Sequence, residues 1–271
     1  MLRFISIGSG SSGNCYYLDT ADDALLIDAG VGVRSLKKHF RDYGLSLARV
    51  RHILITHDHA DHIKSVGSLS NDQHLPVYAT RTVHQGIDRN YCVAKKVSSD
   101  LRRYVEPGVT QQVGAFTVTP FTVPHDSSDN VGYEISIADG TVFCIVTDVG
   151  HITEEIAQHI SRAHYLVIEA NHDVEMLMSG PYPQHLKNRI VSGSGHLNNT
   201  LCGEAIAQHM SEHLRHVWLC HLSEENNHPE LARKTVESVL RSYGIIAGKD
   251  LQLDVLKRTM PTGIYELAAP E

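Results

Sequence analysis

The sequence lacks several features that would each decide a class of protein. No run approaches the roughly 20 consecutive apolar residues that span a bilayer. The N-terminal segment 1–8 is too short and too soon interrupted to be a signal peptide. Cysteines number only five and show no paired spacing, which argues against a disulfide framework and favours a reducing compartment. We therefore expect a cytoplasmic protein without membrane contact.

Basic charge is also scarce, because the net charge is −7 with neutral histidines. This argues against a global positive field for nucleic acid, although bound metal cations and local basic patches can still bind phosphate. The 271 residues contain no repeat and no linker rich in proline, glycine or serine. We expect one domain over residues 1–271.

Histidine, in contrast, is abundant, with 19 copies. Four potential metal ligands fall within six residues of a turn that follows the predicted strand 52–55: His57, His59, Asp61 and His62. Imidazole and carboxylate together suit zinc, iron and manganese. A tetrahedral metal site that keeps a water has room for only three protein ligands. Three histidines and a carboxylate are one ligand too many, so two adjacent metals account for the cluster better. The alternative is a polar turn that happens to be rich in histidine.

Three later residues also follow predicted strands, namely His125, Asp148 and His221. Each of these residues, taken alone, is more simply a structural histidine or aspartate. Asp28 also ends a predicted strand, and we interpret it as a turn former, with support of the metal site as the alternative. For Glu169 and His172, the sequence leaves two roles open: support of the metal ligands and direct ligation of a metal.

The order of apolar runs predicts the fold. Strands are predicted at 2–7, 15–19, 24–28, 52–55, 76–79, 112–119, 131–138, 142–147, 165–170, 217–222, 251–256 and 263–267. Helices are predicted at 33–43, 62–69, 81–90, 152–160, 172–178, 198–213 and 229–243. This order fits an α/β protein, an αββα sandwich of two mixed β-sheets flanked by helices.

The string HxHxDH at residues 57–62 closely resembles the signature of the metallo-β-lactamase fold hydrolases. The resemblance implies the same αββα architecture and a site for two divalent metal ions per chain (zinc, manganese or iron). It implies that one ion is held by His57, His59 and His125. The other would be held by Asp61, His62 and His221, with Asp148 bridging the two.

Longer strings resemble the YycJ/WalJ family, bacterial proteins of this fold described as 5′ to 3′ DNA exonucleases. They are the glycine-serine loop 8–14, the segments 169–173, 179–190 and 192–199, and the string HLSEENN at 221–227. One departure is Asn198, where the family usually has serine, and this exchange keeps a helix cap. The resemblance covers nearly the whole chain and implies DNA ends as the partner.

The turn at Gly195 and His196 also resembles tRNA-processing ribonuclease Z, where the equivalent histidine contacts the scissile phosphate. Our candidate catalytic residues are Asp61 and His196. We expect His196 to act as hydrogen-bond donor and general acid, with a capping or packing histidine as the alternative. Candidate contacts to substrate phosphate are Ser11, Ser12, Asn14, Lys187, Arg189 and Ser223. The alternatives are a plain connector for the glycine-serine loop and a surface pair for Lys187 and Arg189.

The leading interpretation is a dinuclear metal-dependent phosphodiesterase that acts on nucleic acid, a 5′ to 3′ DNA exonuclease using a metal-bridging hydroxide. The competing enzyme is a small-molecule hydrolase that cleaves a cyclic nucleotide, a thioester or a lactone, which the overall acidity favours slightly. A third class, a non-catalytic metal-binding or sensory module, fits less well because all seven presumed ligands are present.

Overall fold

The computed structural model describes residues 1–270. Its strands are β1 Leu2–Gly8, β2 Cys15–Asp19, β3 Ala24–Ile27, β4 Val50–Leu54, β5 Val77–Ala79, β6 Arg102–Tyr104, β7 Gln111–Val113, β8 Phe116–Thr122, β9 Val131–Ser136, β10 Val142–Val146, β11 Tyr165–Glu169, β12 His216–Cys220, β13 Gln252–Val255 and β14 Tyr265–Leu267. Its α-helices are α1 Val33–Asp42, α2 Ala60–Ile63, α3 Val66–Gln73, α4 Arg81–Arg89, α5 Glu154–Arg162, α6 Val174–Ser179, α7 Gln184–Ile190, α8 Asn199–His209 and α9 Pro229–Ser242.

The strands form two sheets of seven strands each. The first runs β14-β1-β2-β3-β4-β5-β6 and the second β13-β12-β11-β10-β9-β8-β7. Both sheets are mixed, since β3-β4-β5-β6 and β10-β11-β12-β13 pair in parallel and the remaining pairs are antiparallel. The predicted αββα sandwich is confirmed.

Three apolar layers hold the sandwich together, because strand side chains alternate between the two faces of a sheet. Aromatic side chains fill the layer between the sheets, where the Phe4 and Trp218 ring centroids lie 4.8 Å apart. The outer face of the first sheet packs against α1, α3 and α4. The outer face of the second sheet packs against α5, α8 and α9. Both sheets are therefore covered on both faces.

Two predicted helix starts are confirmed by their caps. The Asn198 side chain accepts a hydrogen bond from the Leu201 N–H at the start of α8, and Pro229 occupies the first turn of α9. Other boundaries differ from the prediction. The helix expected at 62–69 is split into α2 and α3, and α8 ends at His209. The single strand expected at 112–119 is a hairpin, because the chain turns at Gly114 with φ 58°.

The short elements β6 and α7 were not predicted, since three and seven residues are too few for a clear periodicity. Within residues 1–270, every helix falls short of the length and apolar character needed to cross a membrane.

Candidate metal centre

Several strand ends meet at one edge of the sandwich and bring all seven predicted ligands together. Strands β4, β8, β10 and β12 end shortly before His57, His125, Asp148 and His221, in that order. The two sheets are joined at this edge by a bridge between His57 and Asn130. The Tyr133 hydroxyl adds a hydrogen bond of 2.7 Å to the Ile55 carbonyl oxygen. Residues far apart in the chain thus face one space.

The first group of ligands consists of His57, His59 and His125, whose ligand atoms all lie within 4.8 Å of one another. Nδ1 of His59 lies 3.3 Å from Nε2 of His125. The second group consists of Asp61, His62 and His221, which meet the same criterion. Oδ2 of Asp61 lies 3.6 Å from Nε2 of His62 and 3.5 Å from Nε2 of His221.

Asp148 lies between the two groups. Its Oδ2 is 3.2 Å from Nε2 of His62, and its Oδ1 is 3.8 Å from Nε2 of His125. Oδ1 is also 3.3 Å from Nδ1 of His221. One carboxylate therefore reaches histidines of both groups.

Four of the five histidines have their Nδ1 atom occupied by an oxygen. The partners are Thr56 Oγ1 for His57 at 3.0 Å, Asp28 Oδ2 for His62 at 2.7 Å, the Gly195 carbonyl for His125 at 2.9 Å, and Glu169 Oε1 for His221 at 2.9 Å. Such partners fix ring orientation and leave Nε2 as the ring atom for a metal ligand bond. His59 differs, because it turns Nδ1 towards His125.

The residues present fit divalent metal ions. Within the described chain, Nε2 of His57 and Nε2 of His221 are buried and have no hydrogen-bond partner. A buried ring nitrogen without a partner is unfavourable unless something else satisfies it. Five imidazoles and two carboxylates form a donor set that suits zinc, manganese or iron.

Asp28 and Glu169 support the ligands. Both carboxylates are fully buried, and Asp28 also accepts hydrogen bonds from the backbone N–H and the hydroxyl of Thr56. Our interpretation of Asp28 as a turn former missed its contact to His62. The signal available in the sequence was its position directly after an apolar strand run, which it shares with Asp148 and His221.

These three residues also share an unusual backbone. Asp28, Asp148 and His221 adopt positive φ angles of 61°, 53° and 53°. Non-glycine residues rarely adopt this left-handed conformation, and those that do concentrate at functional sites. The kink after each strand turns the side chain back towards the centre.

Burial and neighbouring charges shift the pKa values of several side chains at this site. Burial lowers the pKa of His57, which keeps this ring neutral. Burial by itself would raise the pKa of Asp148, but His221 and His62 outweigh it and hold that pKa well below its usual range. Burial by itself would lower the pKa of His221, but the neighbouring carboxylates, led by Asp148, outweigh burial and raise this pKa to about 10. The carboxylates that favour a proton on His221 equally favour a metal cation in its place.

His196 lies at the wall of the same space. Its Nδ1 is 2.8 Å from Oε1 of Glu169, and its ring centroid is 5.0 Å from that of His125. Burial lowers the pKa of His196, but Glu169 outweighs burial and raises it. Because Nδ1 is occupied by Glu169, Nε2 is the ring atom left for another partner. His172 is buried nearby with neither ring nitrogen hydrogen-bonded, and it belongs to none of the potential ligand groups.

The predicted phosphate contacts of the glycine-serine loop separate into two kinds. Asn14 is fully buried, and its Nδ2 lies 3.1 Å from Oδ2 of Asp61 and 2.9 Å from Nε2 of His62. It therefore contacts candidate ligands. Ser11 and Ser12 are exposed on the outer side of the loop. Ser223 stabilises its own turn, where its hydroxyl accepts a hydrogen bond of 3.2 Å from the Asn226 N–H.

Lys187 is corrected by the structure. Its side chain is buried, and its ammonium donates hydrogen bonds to the carbonyl oxygens of Met178 at 2.7 Å and Gly180 at 2.8 Å. These bonds tie α7 to the end of α6, so Lys187 is not available to a phosphate. Arg189 is about half exposed and pairs with Asp126, whose Oδ1 lies 3.5 Å from Nε2 of His125. Arg189 thus stands at the rim of the centre.

Comparisons with known proteins agree with this geometry. Residues 24–222 match the family model described as a beta-lactamase superfamily domain. Exodeoxyribonuclease YycJ of Bacillus anthracis is 34% identical over 97% of this chain and 98% of its own. Exodeoxyribonuclease WalJ of Streptococcus pneumoniae is 34% identical over 93% of each chain. The structure of Zn(2+)-bound PqqB from Methylobacterium extorquens covers 96% of this chain and 99% of its own, with a TM-score of 0.71 and 16% identity, a likeness of fold.

An αββα sandwich with histidine and aspartate clusters at its strand ends defines a metal-dependent hydrolase. The chain belongs to the beta-lactamase superfamily and, within it, to the family of the YycJ and WalJ proteins.

Proposed function

We propose that this protein is a dinuclear metal-dependent phosphodiesterase that degrades DNA from the 5′ end. The observation that carries the proposal is the position of Asp148, whose two oxygens reach both groups of histidines. The relatives named exodeoxyribonuclease, at 34% identity over nearly the whole chain, support DNA as the substrate.

The ligands divide as the two groups suggest. His57, His59 and His125 would hold one ion, Asp61, His62 and His221 the other, and Asp148 both. When bound, a pair of divalent ions supplies an activated water as nucleophile and neutralises the charge of phosphate oxygens. The buried carboxylates Asp28 and Glu169 keep His62 and His221 in the orientation that this requires.

His196 handles a proton in this proposal. Glu169 holds its Nδ1–H at 2.8 Å and raises the pKa of the ring against the effect of burial, so the charged form with a second N–H at Nε2 is favoured. That N–H donates to an oxygen of the scissile phosphate and then passes its proton to the leaving 3′ oxygen. Asp61 contributes its carboxylate, which lies between His62 and His221.

Arg189 offers hydrogen-bond donors at the rim, where Asp126 balances its charge. Arg189 is held in a fixed orientation by Asp126 beside His125, and it supplies a contact for a phosphate that flanks the scissile one. Binding of DNA through such contacts weakens as salt concentration rises.

The competing function is hydrolysis of a small molecule, which the acidic net charge favours. A panel of substrates separates the two: single-stranded and duplex DNA labelled at either end, a cyclic nucleotide, a thioester and bis(p-nitrophenyl) phosphate, each with zinc and with manganese. We expect DNA labelled at its 5′ end to release a labelled mononucleotide at once. DNA labelled at its 3′ end should keep the label on fragments that become progressively shorter. Rapid hydrolysis of the cyclic nucleotide or the thioester, with every DNA left intact, would refute the proposal.

A further inference from the structure

A second cleft lies beside the metal centre, on the outer side of the glycine-serine loop. Its volume is about 340 Å³. Polar side chains from four segments of the chain line it: Ser12, Ser35, His39, Lys64, Arg258 and Thr259. We call it the loop cleft. The rest of the lining consists of Ile7, Val31 and glycines 8, 13 and 32, so backbone is accessible there as well.

The loop cleft is positively charged and lacks a compensating acid. No aspartate or glutamate is among its lining residues. The lysine and arginine side chains that form ion pairs within residues 1–270 are Arg3, Arg41, Arg49, Lys95, Arg102, Arg162, Arg189 and Arg233. Lys64 and Arg258 are not among them. Their charges are therefore free to act on a ligand.

Both cations are nevertheless held in place, because each donates to a backbone carbonyl. The Lys64 ammonium donates to the Ser12 carbonyl oxygen, and Nη1 of Arg258 donates to the Ser223 carbonyl oxygen at 3.1 Å. The Arg258 side chain also packs on the glycine-serine loop, where an added Cβ at Gly10 would lie 3.1 Å from its Cγ. Cations that are fixed without being neutralised lose little freedom when they bind an anion.

The loop cleft and the metal centre share a wall. Gly13 lines the cleft, and the next residue, Asn14, places its amide 2.9 Å from Nε2 of His62. Lys64 lies two residues beyond His62 and faces the cleft. The anion-attracting space is thus separated from the metal centre by the thickness of the loop.

We propose that the loop cleft binds the terminal 5′-phosphate of a DNA strand, which rests on the proposed action of the enzyme on DNA ends. A phosphate monoester carries about −1.5 to −2 charges near neutral pH, more than the single charge of an internal diester, and two unneutralised cations match it. Bound there, the terminal phosphate places the next phosphate of the strand at the metal centre. This arrangement accounts for both the 5′ direction and the release of mononucleotides.

The test compares two oligonucleotides of one sequence, one with a 5′-phosphate and one with a 5′-hydroxyl. For the wild type, we expect kcat/KM to be about 10-fold or more higher on the phosphorylated strand, the size of one or more charge-assisted hydrogen bonds. Lys64→Met and Arg258→Met, which keep the side-chain bulk, should each bring the ratio close to one. Lys38→Met removes the same charge from the exposed face of α1 outside the cleft, and it should keep the wild-type ratio.

A binding measurement separates this inference from the proposed function. The same two strands, made with a nuclease-resistant first linkage, are titrated into each metal-loaded protein and followed by fluorescence anisotropy. Tighter binding of the phosphorylated strand that is lost in Lys64→Met supports the cleft even if no DNA is cleaved. Cleavage of DNA without any preference for the 5′-phosphate overturns the inference and leaves the proposed function intact. If Lys64→Met loses the same affinity for both strands, Lys64 makes a general contact to the DNA backbone, which also overturns the inference.

Discussion

Oε1 of Glu169 lies 2.9 Å from Nδ1 of His221, and both side chains are buried. The same oxygen is 2.8 Å from Nδ1 of His196, while Oε2 accepts the backbone N–H groups of Val149 and Leu197. One carboxylate therefore orients a candidate ligand, a candidate proton donor and the loops that carry them.

Glu169→Gln should lower metal affinity and turnover together, by about 10- to 100-fold, because the amide offers one acceptor oxygen where the carboxylate offers two. Titration against a competing chelator and steady-state kinetics measure the two effects. Glu134→Gln is the matched control, since Glu134 makes the same kind of contact to His159 at 2.7 Å outside the centre. Unchanged metal affinity in Glu169→Gln would contradict a supporting role for this carboxylate.

Asp148→Ala should lose metal and abolish turnover, because one carboxylate lies between both groups of histidines. Elemental analysis should give two ions per wild-type chain and fewer in the variant. Asp22→Ala, which removes a carboxylate from an exposed turn, should keep both ions. A chelator should inactivate the wild type and lower its Tm, and zinc or manganese should restore both, since the ions bind the folded state. Full occupancy with normal activity in Asp148→Ala would exclude a shared ligand.

Gly30→Ala should destabilise the protein and weaken metal binding. A Cβ at position 30 would lie 1.5 Å from the Asp61 carbonyl oxygen, so the segment that carries Asp61 must move. Overpacking of this kind costs about 1–3 kcal/mol. Thermal unfolding and metal content measure the effect. At Gly32, two residues further on, an added Cβ meets no atom within 4 Å, and Gly32→Ala should leave metal content unchanged. If the two variants behave alike, the close approach at Gly30 is not important.

His196→Ala should keep both ions and the fold but lower kcat by about 10²- to 10³-fold, the usual cost of removing one preorganised donor at a reacting oxygen. His185→Ala removes an exposed histidine from α7 and should leave kcat unchanged. Loss of an ion in His196→Ala would make His196 a ligand, since it also lies in a group with Asp148, Glu169 and His221. Unaltered kinetics would reduce it to a packing residue.

Much of the fold follows from local patterns. Apolar runs of strand length, glycine turns and helix caps depend on neighbours in the chain, and these predicted the two sheets and most of the elements. The elements that were missed are short: β6 and α7 are too brief to show a period, and the hairpin at Gly114 interrupts a run that reads as continuous.

The sequence by itself determined the residue types of the candidate metal centre. Four potential ligands fall within six residues directly after a strand, a spacing that chance rarely produces. Only the tertiary structure decided which side chains hydrogen-bond to these candidate ligands. Glu169 meets His221 across 52 residues and Asp28 meets His62 across 34, through sheet packing that no local pattern encodes. Lys187 illustrates the converse, since a lysine in a polar segment looks available to phosphate until the fold places its ammonium on the carbonyl oxygens of Met178 and Gly180. Hydrogen-bond partners depend on which strand ends converge, and that depends on the whole core.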